Sequence, residues 1–252
     1  MKILYFTGTG NCLYVAKRIG GDLYSIPQLI KNDIYTIEDR TVGIIFPCYC
    51  WTLPRIVKNY LKKVEIRADY TFTIITYGTM AQSTLKQTEK LLKGKVDYTN
   101  EIKMIDNYLP MFNMEKEIAN EEKKQIESQI DSVIKDIQLK KHRIVKKRFY
   151  NDIFSKFGKL YLKTKTNDVD KKFRINDNCN LCRTCESLCP VKNIKIVENQ
   201  PVFQHNCEFC HSCIQLCPQN AIHLKNEKSS ARFKNKNIKL SEIKKANNQL
   251  KN

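Results

Sequence analysis

The 252-residue sequence lacks an apolar run long enough to cross a bilayer. Its longest run, from Val42 to Leu53, is interrupted by Pro47 and Thr52 and is shorter than the roughly 20 residues that a membrane helix needs. The first residues also lack the apolar core and cleavage site of an export signal, because Thr7-Gly8 follows directly on Ile3–Phe6. We therefore expect neither a transmembrane nor a secreted protein, and we predict a cytoplasmic location.

Cysteine is abundant, and its distribution is uneven. The chain has 11 cysteines, and all but three of them lie between Cys179 and Cys217. In a chain without an export signal, clustered cysteines usually indicate metal or redox chemistry, and an odd total argues against a closed set of disulfides.

One segment of this cluster occurs twice. Cys179-Asn-Leu-Cys182-Arg-Thr-Cys185-Glu-Ser-Leu-Cys189-Pro190 recurs as Cys207-Glu-Phe-Cys210-His-Ser-Cys213-Ile-Gln-Leu-Cys217-Pro218. The spacing C-x₂-C-x₂-C-x₃-C-P is typical of proteins with two [4Fe–4S] clusters, in which the fourth cysteine of each copy ligates the other cluster. We therefore predict that Cys179, Cys182, Cys185 and Cys217 hold the first cluster, and that Cys207, Cys210, Cys213 and Cys189 hold the second.

Two other interpretations of the repeat remain open, although this cysteine spacing is not typical of either. Tetrahedral zinc also takes four thiolates, usually as two well-separated pairs, and the thiols could also be free. His211 lies inside the second copy. Because eight cysteines already complete two clusters, we expect His211 to face solvent without being a ligand.

The N-terminal half alternates strand-like and helix-like segments. The pattern predicts buried strands at Ile3–Phe6, Val42–Phe46 and Tyr70–Thr76, with a weaker strand at Ile102–Ile105. It predicts helices at Asn11–Ile19, after Pro54, at Ser83–Leu92 and at Glu115–Lys141. This alternation indicates an α/β fold with a parallel sheet.

The remaining segments are rich in lysine. Residues 140–165 carry Phe149, Ile153, Phe157, Leu160 and Tyr161 on one face, which predicts a helix docked through its apolar side. Beyond Leu224 the chain is dominated by lysine and asparagine. We expect this tail to be mobile.

The loop after the first strand has the composition of a phosphate cradle. Thr7-Gly8-Thr9-Gly10-Asn11-Cys12 lies between a strand and a helix, where backbone N–H groups and the helix dipole favour an anion. The glycines permit close approach of the backbone, and the threonines add hydroxyl donors. The loop lacks the lysine of a nucleoside triphosphate P-loop and fails the G-x-G-x-x-G spacing. A turn without a ligand is the alternative.

Two later loops carry flat aromatic side chains. Pro47–Pro54 contains Tyr49 and Trp51, and the loop Tyr77-Gly78-Thr79 follows the strand that ends near Thr76. All three loops follow parallel strands at their carboxyl ends, where open α/β sheets bind ligands. A phosphate cradle with two aromatic faces suits flavin mononucleotide (FMN), although ordinary packing would also explain Trp51 and Tyr77.

The Thr-x-Thr-Gly loop resembles the flavodoxin phosphate loop at Thr7, Thr9, Gly10 and Asn11. The resemblance implies that Trp51 or Tyr49, together with Tyr77, stacks on the flavin. It departs from that family at Cys12, where flavodoxins usually have a hydroxyl residue.

The whole chain except its tail resembles the EFR family ferredoxins, in which a flavodoxin-like part is fused to a ferredoxin part. The similar segments are the Phe6–Asn11 opening, the Pro-Cys-Tyr-Cys-Trp-x-x-Pro loop, Thr76-Tyr77-Gly78, Asp106-Asn107-Tyr108 and both cysteine repeats.

This resemblance implies a flavodoxin-like, doubly wound parallel sheet over residues 1–141 and a small α+β two-cluster ferredoxin domain over residues 173–225. A basic helical connector (142–172) joins them, and a basic tail (226–252) follows. The implied FMN site consists of Thr7, Gly8, Thr9, Gly10, Asn11, Cys12, Tyr49, Trp51, Tyr77 and Gly78.

These motifs lead to an expected function of electron transfer between FMN and two [4Fe–4S] clusters. The alternatives are an FMN-dependent reductase of a small substrate or quinone, and a ferredoxin whose flavodoxin-like part has lost its flavin and only docks a partner. No acid–base pair or nucleophile indicates a catalytic residue. Cys12, Cys48 and Cys50 are expected to be buried small side chains, with redox-active thiols beside the flavin as the alternative.

Basic charge then suggests a partner. Lysine and arginine number 44 against 26 acidic residues, a formal net charge of +18. The basic stretches carry no nucleic-acid motif and no repeated aromatic interleaving. We therefore expect an acidic redox-protein partner, with solvated charge as the alternative, no nucleic acid, and at most weak contact with a membrane surface.

Overall fold

A parallel five-stranded sheet lies at the centre of the N-terminal half. We describe the fold from a computed structural model, which covers residues 1–146, 150–165 and 169–250. Phe149, which we assigned to the apolar face of the connector, lies outside the described residues, as do the last two residues of the tail.

The strands of the molecule are β1 Lys2–Tyr5, β2 Asp22–Ser25, β3 Thr36–Glu38, β4 Thr41–Pro47, β5 Glu65–Arg67, β6 Tyr70–Tyr77, β7 Tyr98–Lys103, β8 Phe173–Ile175, β9 Ile194–Val197, β10 Gln200–Phe203 and β11 Ile222–Leu224. The main sheet has the order β2-β1-β4-β6-β7, and each of its neighbouring pairs is parallel. In β1, for example, Lys2 lies opposite Asp22 on one side and Val42 on the other. A parallel pair of β3 and β5 lies apart from this sheet.

The helices of the molecule are α1 Asn11–Ile19, α2 Ile26–Lys31, α3 Arg55–Leu61, α4 Thr84–Leu91, α5 Met114–Ala119, α6 Ile126–Gln138, α7 Tyr150–Lys165, α8 Thr184–Leu188, α9 Ser212–Gln215 and α10 Leu240–Asn247. Helices α1 and α6 pack in one core with Ile3 of β1, whereas α2, α3 and α4 pack in another core with Leu4. Because successive side chains of a strand point to opposite faces, helices cover both sides of the sheet. The predicted α/β fold with a parallel sheet is confirmed.

Two predicted elements have different bounds in the structure. The helix expected at Glu115–Lys141 is divided into α5 and α6 by a short 3₁₀ turn, Glu122–Lys124, and by Gln125 at φ +49°. Between Ile118 and Ile126 the chain has no large apolar side chain to bury, so α6 begins where its apolar stripe begins. The strand expected at Ile102–Ile105 is β7, which begins at Tyr98, earlier than expected. Tyr98 and Thr99 are both fully buried.

The cysteine repeat region has small antiparallel strand pairs, β8 with β11 and β9 with β10. Helix α8 begins one residue before Cys185 and α9 one residue before Cys213, so the two copies fold alike. Each helix is preceded by a residue with positive φ, +57° at Arg183 and +56° at His211.

The prediction that the tail is mobile is wrong. Its Ile238 and Ile243 are almost fully buried, and they share a core with Leu188 and Leu216 of the repeat region. These apolar residues are few and stand among lysines, so the sequence shows no clear apolar pattern that would predict their burial. Ile243 and Ala246 nevertheless fit one helical face. The described residues include no helix that could span a membrane.

Candidate functional site

A large cavity of about 870 Å³ opens at the carboxyl ends of β1, β4 and β6. Three loops contribute the predicted flavin-site residues that line it: Thr7, Gly8, Thr9, Asn11, Cys12, Tyr49, Trp51, Tyr77 and Gly78. Gly10 is the exception, because it faces the tail, and a Cβ there would lie 3.0 Å from the Cβ of Asn235. We call this cavity the sheet-edge pocket.

The two threonines of the first loop are buried and hydrogen-bonded through their oxygens. Thr7 Oγ1 accepts from the backbone N–H of Gly10 at 3.1 Å, and Thr9 Oγ1 accepts from Asn107 Nδ2 at 2.7 Å. A hydroxyl that accepts in this way keeps its hydrogen for donation. With the first N–H groups of α1, which have no partner inside the helix, the loop offers several donors to an anion.

Gly8 is required by contact with the second cysteine copy. A Cβ on Gly8 would lie 2.8 Å from the backbone oxygen of Cys210 and 3.0 Å from the hydroxyl of Tyr49. Ser212 Oγ also donates to the backbone oxygen of Gly8 at 2.8 Å. The sequence suggested glycine for an approaching anion, whereas the structure also shows a close approach by the repeat region.

The tail holds the same loop from its other side. The backbone N–H of Asn235 donates to Thr9 O at 2.9 Å, and Asn235 Nδ2 donates to Asn11 Oδ1 at 3.1 Å. Asn247 Nδ2 donates to Thr7 O at 3.0 Å. These two asparagines were not predicted as site residues, because nothing distinguishes them within a stretch rich in lysine and asparagine.

The cysteines around the pocket are ordinary protonated thiols. Cys12 Sγ lies 3.1 Å from Thr76 Oγ1, and Cys48 Sγ lies 3.2 Å from Thr84 Oγ1. Burial raises the pKa of the Cys12, Cys48 and Cys50 thiols to about 12. Protonated thiols are weak nucleophiles. Cys12 is buried as expected, whereas Cys48 and Cys50 are partly exposed.

Asp106 is a pocket residue to which the sequence gave no role. Gly78 packs so tightly on its carboxyl group that a Cβ there would clash. Thr79 Oγ1 donates to Asp106 Oδ2 at 3.2 Å, and the N–H of Tyr108 donates to Oδ1 at 3.3 Å. Burial nevertheless raises the pKa of this carboxyl group.

Helix α7 forms one side of the pocket mouth, although not in the predicted orientation. Its small residues face inward: Ser155 Oγ donates to Trp51 O at 2.9 Å, and Gly158 packs against the backbone oxygen of Cys50. The apolar face that we expected to be buried is exposed at Ile153, Phe157, Leu160 and Tyr161. The helix lies so close to the loop backbone that only small side chains fit between them.

The repeat region contains two smaller cavities, each lined by four cysteines. Cys179, Cys182, Cys185 and Cys217 line one, which we call the first quartet. Cys189, Cys207, Cys210 and Cys213 line the other, the second quartet. The structure thus brings together the same two sets that the spacing predicted, with the fourth cysteine exchanged between copies.

The two quartets differ in their surroundings. Cys182 of the first quartet is exposed, and the hydroxyl of Thr184 lowers the pKa of its thiol. In the second quartet, burial raises the pKa of Cys207 and Cys213 well above the usual range. Among the described residues, no group of three or more His, Cys, Asp or Glu side chains has the arrangement needed to hold a single metal ion.

Backbone amides point at some of the sulfur atoms. The N–H of Asn193 donates to Cys189 Sγ at 3.1 Å, and the N–H of Phe209 donates to Cys207 Sγ at 3.3 Å. Such hydrogen bonds favour thiolates, which are the form that binds iron.

His211 lies between the second quartet and the sheet-edge pocket, since it lines both cavities. It is only 4% exposed, so the prediction that it faces solvent is wrong. Its ring packs against Phe209 and Tyr108, with centroids 5.0 Å and 5.6 Å away. Burial lowers the pKa of His211 to about 4, which leaves the imidazole neutral at pH 7.

Comparisons with models of protein families, with curated proteins and with solved structures found no match.

Proposed function

We propose that the chain is an electron-transfer iron–sulfur flavoprotein, with FMN in the sheet-edge pocket and a [4Fe–4S] cluster in each cysteine quartet. The observation that carries the proposal is the shared wall between the pocket and the second quartet. His211 lines both cavities, and Gly8 of the pocket packs on the backbone of Cys210. Two redox groups in these cavities would be close neighbours.

The strand order supports a flavodoxin-like fold. Counted within the main sheet alone, the order of its strands is 2-1-3-4-5, in which FMN binds where the order reverses, between the first and third strands. The corresponding strands here are β1 and β4, whose following loops line the pocket. In this proposal residues 1–141 form the flavodoxin-like domain, residues 173–225 form the ferredoxin domain, and the chain is an EFR family ferredoxin.

The residues of the pocket fit FMN. A volume of about 870 Å³ lies within the range of roughly 300–1,000 Å³ that is usual for small-molecule sites. The hydroxyls of Thr7 and Thr9 and the N-terminus of α1 would bind the phosphate, and Trp51, Tyr49 and Tyr77 offer faces for the ring. This opening above the cradle favours a flavin-binding protein over a flavin-free docking module.

The quartets fit iron–sulfur clusters through their donor set. Each cavity presents four thiols, and amide N–H groups at Cys189 and Cys207 favour the thiolate form. FMN exchanges one or two electrons whereas each cluster exchanges one, so the bound groups would convert between the two kinds of transfer.

The difference in exposure suggests where a one-electron partner docks. Cys182 of the first quartet reaches the surface beside Arg183, whose side chain is 63% exposed. Lys244 lies within hydrogen-bonding distance of Thr184 in the same loop, 3.2 Å away. We therefore propose that an acidic redox protein of the cytoplasm docks at the first quartet and that the second quartet relays electrons to the pocket.

A second candidate function is reduction of a small apolar acceptor such as a quinone. The observation in its favour is an exposed apolar rim, since Met80, Met111, Phe157, Leu160 and Tyr161 all line the pocket and are 39–66% exposed. Such a rim suits an apolar molecule entering above the flavin.

An anaerobic cofactor inventory tests the proposal. The native chain is expected to contain about eight iron and eight sulfide per chain, together with one FMN. Cys185→Ser should lose about half of the iron, whereas Cys48→Ser, a thiol outside both quartets, should retain all of it.

Zinc in place of iron, or iron without labile sulfide, would overturn the cluster assignment. Iron and sulfide without flavin, in a chain that also fails to take up added FMN, would leave the flavin-free docking module.

A further inference from the structure

The two cysteine copies have the same loop conformation but different side chains, and one of the differences changes their contacts. Arg183 and His211 occupy the same place in their loops, at φ +57° and +56°. Arg183 is exposed and its Nε donates to Glu186 at 2.8 Å, whereas His211 is buried. The side chain two residues earlier also differs, since Leu181 of the first copy corresponds to the aromatic Phe209 of the second. Phe209 and His211 both line the sheet-edge pocket. The second copy is therefore adapted to the pocket.

The hydrogen bonding of His211 is incomplete. The ring lies against the aromatic rings of Phe209 and Tyr108, which hold the imidazole in the pocket wall. Its Nε2 atom is buried and has no hydrogen-bond partner among the described residues. Buried polar atoms are nearly always paired, so an unpartnered nitrogen in a cavity wall indicates a ligand group opposite it.

The missing partner must be a polar group. An imidazole nitrogen either donates or accepts a hydrogen bond, according to the tautomer of the ring. Nε2 therefore needs a polar atom of the molecule in the cavity. The aromatic side chains around it, Phe209 and Tyr108, suit a flat ring system that carries such a group.

We propose that His211 is a flavin-contacting residue, whose Nε2 forms a hydrogen bond with the polar edge of the FMN ring in the sheet-edge pocket. This inference rests on the proposed function. It gives the second cysteine copy two roles, because Cys210 ligates the cluster and the next residue contacts the flavin.

Trp51 provides a direct measurement. It is the only tryptophan of the chain and lines the pocket, so FMN binding should quench its fluorescence. His211→Phe retains an aromatic ring but removes the ring nitrogens, and it should weaken FMN binding about tenfold. His211→Gln supplies both an amide donor and a carbonyl acceptor, and it should recover most of the affinity. Arg183→Gln, at the matched position of the first copy, should bind FMN like the native chain.

Iron and sulfide are measured in the same samples, so that each failure is distinguishable. If the native chain binds no FMN, the flavin half of the proposed function fails. If native protein binds FMN and His211→Phe binds it equally well, the inference alone is overturned. It is also overturned if His211→Phe loses iron while keeping its FMN affinity, because Nε2 would then serve the cluster.

Discussion

The two copies of the cysteine repeat have the same spacing and the same loop conformation, yet they face different surroundings. The first quartet has a surface cysteine, Cys182, and an exposed neighbour, Arg183. The second quartet is buried against the pocket, where Gly8 leaves room for the backbone of Cys210. A repeat with symmetric cysteine spacing thus becomes asymmetric through its packing and through its different side chains, such as Arg183 and His211. The asymmetry would give an electron path two distinct ends.

The same asymmetry extends to the charge state of the thiols. Burial raises the pKa of Cys207 and Cys213, whereas the pKa of Cys182 is lowered by its contact with the Thr184 hydroxyl. In cluster-free protein, Cys182 is therefore the thiolate most readily formed of these three.

The largest expected effect comes from removing one cysteine ligand from each quartet and comparing the effects on FMN binding. Cys182→Ser and Cys213→Ser should each lose about half of the iron, since each removes one ligand of one cluster. Only Cys213→Ser should also weaken FMN binding, because the second quartet forms part of the pocket wall. Iron analysis and Trp51 fluorescence check both results, and equal effects on FMN would break the comparison.

A smaller effect is expected from the contact that joins the pocket to the second copy. Gly8→Ala places a methyl group against the backbone of Cys210 and should lower the free energy of unfolding by about 1–3 kcal/mol. Gly94→Ala is the control for a glycine substitution, since Gly94 has open space around it. Its positive φ of +76°, which Gly8 does not share, makes Gly94→Ala a test of backbone strain without a clash. Only Gly8→Ala should lower FMN affinity as well, and an unchanged affinity would contradict the shared wall.

The exposed end of the path should be sensitive to salt. Arg183→Gln removes a positive charge beside Cys182, so it should slow electron exchange with an acidic protein about two- to fivefold at low ionic strength. The native and variant rates should converge in high salt, because salt screens exposed charges. A rate difference that persists in high salt would argue against electrostatic steering.

The smallest effect lies far from both quartets and serves as a reference. Lys141 Nζ lies 2.6 Å from Asp136 Oδ1, and this contact lowers the pKa of the Asp136 carboxyl group. A carboxyl group whose pKa is lower in the folded chain than in the unfolded chain stabilises the fold at pH values above its unfolded-state pKa. This stability is lost as the pH falls through the folded-state pKa.

Asp136→Asn should therefore cost about 1 kcal/mol at pH 7, since solvent screens the half-exposed Lys141. The cost should shrink between pH 7 and acid pH, because the native carboxyl group, whose pKa lies below the ordinary value of about 3.9, becomes protonated too. Unfolding curves at both pH values check this, with FMN affinity and iron content expected to stay native. A cost that persists at low pH would contradict the ionic origin.

Much of the fold was predictable because it depends on local patterns. The strands at Ile3, Val42 and Tyr70 are continuous apolar runs, and the helix after Pro54 has a clear apolar face. The short strand β2 has no such pattern, since it is a partly exposed edge of the sheet. The break at Gln125 was also missed, because a single residue at positive φ has no periodic signature.

The site was predictable to a similar degree. Loop sequences at Thr7, Trp51 and Tyr77 identified one side of the pocket, because parallel strands bring their carboxyl ends together. The opposite side consists of Asp106, Phe157 and His211, which come from separate parts of the chain. Their contribution depends on how the connector and the second copy dock, and no local spacing encodes that.

The sequence by itself determined the grouping of the eight cysteines and the alternation of strands and helices, because both follow from spacing along the chain. Only the tertiary structure decided that the tail is buried, that α7 faces inward through Ser155 and Gly158, and that His211 is enclosed. These outcomes depend on which distant surfaces fit closely enough to exclude water, and that is a property of packed shapes, not of sequence pattern.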